Sequence, residues 1–68
     1  MISKTNRYYL DKLKEMAVDD EVHLSTKELA KKLYLSESHL RDVLTILATN
    51  ESLEVLKTKG RISGVRLK

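Results

Sequence analysis

Sixty-eight residues allow one domain at most, and a chain this short buries only about 60% of its unfolded surface. It holds no cysteine, which excludes a disulfide or a thiolate metal site as a brace, so the core must be dense in Leu, Ile and Val. The net charge of +3 is unevenly placed: residues 1–56 carry eight basic and ten acidic side chains, whereas residues 57–68 carry five basic ones (Lys57, Lys59, Arg61, Arg66, Lys68) and no acid.

Residues 1–5 read as a lead-in, with Thr5 or Asn6 capping a first helix that runs to about residue 17. Tyr9, Leu10, Leu13, Met16 and Ala17 recur at helical spacing and predict a core-facing stripe, while Arg7, Asp11, Lys12, Lys14 and Glu15 take the other side. Tyr8 lies off the centre of that stripe. Asp19, Asp20 and Glu21 make an acidic turn that would be repelled by a polyanion. Val22, His23 and Leu24 then alternate apolar, polar, apolar, which predicts a short strand with His23 pointing outward.

Two amphipathic helices follow with a tight break between them. Thr26–Leu33 places Leu29, Ala30 and Leu33 on one face, and Ser25 with Glu28 forms a capping box at its start, the serine hydroxyl taking an orphan amide while the carboxylate reaches back. Tyr34, Leu35 and Ser36 form the break, with Ser36 as the cap of the next helix. Glu37–Thr49 carries Leu40, Val43, Leu44 and Leu47 as its inward stripe, and Asn50, tolerant of the left-handed conformation, is the expected stop. Helix, three-residue turn, helix is the spacing of a helix-turn-helix, whose second helix enters the DNA major groove.

On that second helix Ser38, Arg41, Asp42 and Thr45 cluster opposite the stripe at about 100° per residue. Arginine can pair bidentately with guanine, and hydroxyls meet either base. Asp42 could accept from cytosine N4 or hold Arg41 in place. Glu37 sits in the first turn, where the helix dipole favours an acid. His39 and Ile46 lie on one flank, open to the first helix or a partner subunit. Thr26, Lys27 and Ser36, at the helix starts, join the candidate contacts, and Lys31 and Lys32 add charge to the polar side.

Residues 53–56 read as a strand, 57–64 as a basic loop with glycines at its bends, and 65–67 as a returning strand. A hairpin with a basic tip directly after a helix pair is a wing, and Lys57, Lys59 and Arg61 suit phosphates or the adjacent minor groove.

From residue 7 onward the chain resembles the winged helix-turn-helix domain of the iron–sulfur-cluster regulator family (IscR-like transcription regulators). Arg7, Tyr8, Tyr9 and Leu10 resemble its opening helix, residues 25–30 its capped helix, residues 40–47 its recognition helix, and residues 60–67 its wing, with Ser63 in place of a glycine and Val65 in place of an aromatic. The family's sensing cysteines are missing, so iron–sulfur sensing is not implied, and the likeness does not extend to the family's long dimerisation helix.

The expectation is a mainly α fold with a small β-hairpin (α+β), a three-helix winged helix-turn-helix spanning residues 1–68 as a single domain. Its expected function is sequence-specific binding of double-stranded DNA as a small transcriptional regulator, of a kind that also suits a phage or plasmid, with a homodimer on DNA as a possible form. The alternative is a winged-helix protein–protein interaction module without DNA binding, which Glu37 and Asp42 near the groove face favour. An enzyme is not expected. No Gly-rich phosphate loop, metal-ligand cluster or cofactor motif is present, and Ser36, Ser38 and His39 on one turn read as a cap and exposed side chains. No hydrophobic run is long enough to span a membrane and no signal-peptide pattern appears, so no membrane partner and a cytoplasmic location are expected.

Overall fold

The computed structural model describes residues 3–68, with three helices and a three-stranded antiparallel sheet. Helix α1 is Lys4–Met16 and begins earlier than expected. Its cap is Ser3, whose Oγ accepts the Asn6 N–H at 3.2 Å, so Thr5 and Asn6 lie inside the helix rather than capping it. Of the expected lead-in, residues 1 and 2 lie outside the described residues. The α1 stripe packs as its spacing requires. Leu10 and Leu13 are buried, with Tyr9, Met16 and Ala17 half-buried beside them.

Helices α2 (Thr26–Leu33) and α3 (Glu37–Thr49) keep their predicted bounds because both starts are capped by serines. Ser25 Oγ accepts the Glu28 N–H at 3.3 Å, and the Glu28 carboxylate returns the contact by accepting from the serine hydroxyl rather than from its backbone. Ser36 Oγ accepts the His39 N–H at 3.1 Å. Replacing either cap with alanine orphans an amide, so Ser25→Ala and Ser36→Ala should each lower the free energy of unfolding by about 1 kcal/mol. Urea denaturation checks this, with Ser38→Ala, on the exposed face of α3, as the near-neutral control.

Helix α3 stops at Asn50 as expected, but the left-handed residue is the next one. Asn50 stays at φ −86°, and Glu51 takes the left-handed conformation at φ 59°. The Asn50 side-chain amide and its backbone N–H both donate to the Ile46 carbonyl, at 2.8 and 3.1 Å, which holds Asn50 near helical geometry.

The sheet has strands β1 (Glu21–Val22), β2 (Leu53–Thr58) and β3 (Arg61–Leu67) in the order β1-β3-β2, with β3 central. Strand β1 starts and stops one residue or more before the expected 22–24. Asp19 and Asp20 both adopt positive φ, so Val18 bridges Glu21 and pairing begins there. His23 is exposed, as read, with its Nε2 2.9 Å from Glu21 Oε1.

The larger correction concerns residues 57–64, expected as a loop. Thr58 pairs with Arg61, so the turn is Lys59 and Gly60 alone. Both have positive φ (54° and 78°), the backbone of a two-residue turn that matches strand twist. Lysine in the first turn position and the run of charge made this stretch look like a loop. Gly64 is not at a bend: it is buried in β3. Between Leu56↔Gly64 and Lys57↔Ile62 the register shifts by one, leaving Ser63 as the extra residue of a bulge. Its hydroxyl accepts from Thr58 Oγ1 at 3.1 Å and faces the Leu56 carbonyl at 3.4 Å.

The core lies between the helices and one face of the sheet. Leu13 from α1, Leu29 from α2, Leu40, Leu44 and Leu47 from α3, and Leu53 and Val65 from the sheet are sealed from water. No charged or polar residue is buried among the described residues, so every ionic group is available at the surface. Among the described residues no helix is long and apolar enough to cross a membrane.

Candidate nucleic-acid interface

Burying Leu40, Val43, Leu44 and Leu47 fixes how α3 is rotated, and therefore which residues it shows to water. Ser38, His39, Arg41, Asp42, Thr45 and Ile46 are all exposed. They divide by flank. Arg41 and Thr45, with Ala48 and Thr49, border the β2–β3 hairpin, whereas the His39 ring meets Tyr9 of α1 edge to face at a centroid distance of 6.1 Å. Tyr9 in turn touches Tyr8, and Lys12 Nζ lies 5.4 Å from the Tyr8 ring centroid. His39 therefore packs on the first helix, one of the two placements its position allowed.

Between the start of α2, the start of α3 and the hairpin lies an open cleft of about 500 Å³. Thr26 and Lys27 line one wall, Glu37 and Arg41 a second, and Lys57, Arg61 and Ile62 the third, with Ser25 and Gly60 at the edges. A smaller hollow of about 330 Å³ continues along α3, with Leu44, Ala48, Val55 and Ile62 as its apolar floor and Thr45 and Thr49 on its rim. Arg41, Lys57 and Ile62 belong to both, so the two form one groove.

The four cations of the cleft, Lys27, Arg41, Lys57 and Arg61, face the single carboxylate of Glu37. Among the described residues none of the four has an ion-pair partner. Arg66 behaves differently. Its guanidinium bridges Glu21 Oε2 at 3.0 Å and Glu54 Oε1 at 3.4 Å across all three strands, so it is not part of the free basic surface that its place in the tail suggested. Open cations beside a polar helix face attract an anion at range and hold it on contact.

Of the residues singled out from sequence, Thr26, Lys27, Arg41, Thr45, Lys57 and Arg61 line this groove. Ser36 is engaged as the α3 cap, Ser38 and Asp42 stand on the open face of α3, and Lys59 occupies the hairpin tip. Arg41 and Asp42 form no ion pair, so Asp42 does not hold Arg41 in place. Ile62 was missed because residues 57–64 read as a loop. Continuing the strand alternation through Val55 and Lys57 puts Ile62 opposite Lys57, on the groove wall. Among the described residues no three His, Asp or Glu side chains converge as metal ligands.

No family model, no curated protein and no solved structure matches the chain.

Proposed function

We propose that the chain is a winged helix-turn-helix DNA-binding protein. More particularly, it is a small regulator of transcription that recognises a sequence in double-stranded DNA, resembling the IscR-like regulators in its domain plan and lacking their sensing cysteines. The observation that carries this reading is the groove: four unpaired cations, one each from α2, α3, β2 and β3, border the exposed polar face of a capped helix. In this reading α3 enters the major groove, with Arg41 and Thr45 toward base edges, and the β2–β3 hairpin lies along the backbone as the wing. Lys27, Lys57 and Arg61 neutralise phosphates, and Lys59 at the tip reaches the next phosphate or the minor groove. The chain works as a binding protein and not as an enzyme, with two copies on one duplex gaining affinity through linkage of their sites.

The test is a titration of the purified protein against random-sequence duplex at several salt concentrations. Three phosphate contacts, or four with Lys59, predict a slope of log K against log salt of about −2.7 to −3.6 and a loss of affinity of roughly 40- to 150-fold between about 50 and 200 mM. A folded protein that does not bind duplex at the lower salt sinks the reading. Glu37 and Asp42, two carboxylates open on the same helix, would then favour a protein-interaction module.

A further inference from the structure

The cleft uses only the first turn of α2. At the other end of that helix stands Tyr34, whose side chain is 95% exposed. Its backbone is left-handed, φ 57° and ψ 43°, a conformation in which a Cβ crowds the following carbonyl and glycine is the usual residue at a helix end. The turn itself is well held: the Tyr34 N–H donates to the Lys31 carbonyl at 3.3 Å and the Leu35 N–H to the Ala30 carbonyl at 2.9 Å. A firmly held backbone thus carries an aromatic ring that gains almost no burial, at a position that glycine would fill with less strain. Packing within the fold accounts for neither feature.

Tyr34 is not isolated. Lys27 and Lys31, at i and i+4, lie on one side of α2, and Tyr34 follows at the helix end, three residues after Lys31. Lys27 already faces the cleft. Lys31 is exposed and, among the described residues, has no ion-pair partner. Eight residues make α2 about 12 Å long, which is about the width of the B-DNA major groove. A helix of that length lying across the groove places its two ends over the two strands.

We propose that Tyr34 and Lys31 form a second backbone contact, on the DNA strand opposite the one held by the cleft. The phenol O–H donates to a phosphate oxygen, the ring packs on the adjoining deoxyribose, and Lys31 neutralises a neighbouring phosphate. This rests on the DNA-binding reading and adds to it a grip that is independent of the hairpin.

The experiment compares wild type with Tyr34→Gly and Tyr34→Phe on a selected DNA site. Melting temperature, affinity and phosphate-ethylation interference on each strand are measured. Glycine suits the left-handed turn, so the Tyr34→Gly protein should melt at the same temperature or higher. It should bind about tenfold more weakly, the size expected for one charge-assisted hydrogen bond with its packing. Interference should fade on one strand only, the strand not held by the hairpin, and Tyr34→Phe should show part of the loss. Unchanged affinity and interference in Tyr34→Gly overturn the proposal while leaving DNA binding intact. A fall in melting temperature also overturns it, because the ring would then be serving the fold. If wild type binds no duplex at all, this proposal and the DNA-binding reading fall together.

Discussion

Gly64→Ala should leave little native protein at 37 °C. A Cβ built on Gly64 would lie 2.1 Å from the carbonyl oxygen of Val22 and 3.1 Å from the His23 Cα. These are backbone atoms, so no side chain can swing aside. Either β1 separates from β3 or the central strand bends away from the core. Separation removes Val22, 4% exposed, from the core and breaks the ladder around Val22↔Val65. It also endangers the bond from the Leu67 N–H to the Asp20 carbonyl, 2.7 Å long. Exposing a valine costs about 1.5–3 kcal/mol, and each backbone hydrogen bond about 1 more. The total is about 3–5 kcal/mol, against a stability of roughly 3–10 kcal/mol for a domain of this length. Gly60→Ala provides the contrast. A Cβ there meets nothing within 4 Å, and only the positive φ of 78° opposes it, at a cost of about 1–2 kcal/mol. Urea titrations followed by circular dichroism decide the matter. Equal losses in the two variants would show that close approach of β1 is not why Gly64 lacks a side chain.

Gly64 also shows where reading the sequence stops. What surrounds it comes from a strand far away in the chain, and nothing near residue 64 announces Val22. The helices were legible because their determinants are local: Ser25 and Ser36 supply caps, and the leucines of α2 and α3 recur at helical spacing. The start of α1 was less so, since Ser3, Thr5 and Asn6 all cap well and only the fold selects Ser3. The sheet was legible in outline. Strand β1 is two residues long and exists because β3 is there to pair with it. The bulge at Ser63 and the loss of Arg66 from the basic surface likewise depend on pairing, the second on Glu21, 45 residues away in sequence. In the candidate site, burying the α3 stripe leaves one orientation, which exposes Arg41 and Thr45 as their spacing requires; that they share a groove with Lys57 and Arg61 follows from the hairpin pairing. That α2 also contributes a wall, through Thr26 and Lys27, follows from how the two helices and the hairpin pack together.

Arg41→Ala should change which sequence is bound, whereas removing the hairpin charges should change how tightly every sequence is bound. Arg41 is the ambiguous member of the groove. It stands on the exposed face of α3, which the proposed binding mode turns toward base edges, and it also lines the cleft with Lys27 and Lys57, where the same mode would let it clamp a phosphate. The two roles predict different data. An arginine on guanine O6 and N7 contributes about 1–3 kcal/mol to its preferred base pair, so Arg41→Ala should lose roughly 5- to 150-fold on the selected site and much less on random duplex. The base preference at one position should flatten. On the DNA-binding proposal, Lys57→Ala combined with Arg61→Ala removes two phosphate contacts. Affinity should then fall for all sequences alike, and the slope of log K against log salt should become shallower by about 1.8. Both positions are exposed, so neither variant should disturb the core. Selection from a randomised duplex library with each protein, followed by binding at several salt concentrations, measures the two quantities separately. If Arg41→Ala keeps the wild-type base preference and flattens the salt slope instead, Arg41 is a phosphate clamp. Sequence recognition would then have to come from Ser38, Asp42 and Thr45 on the open face of α3.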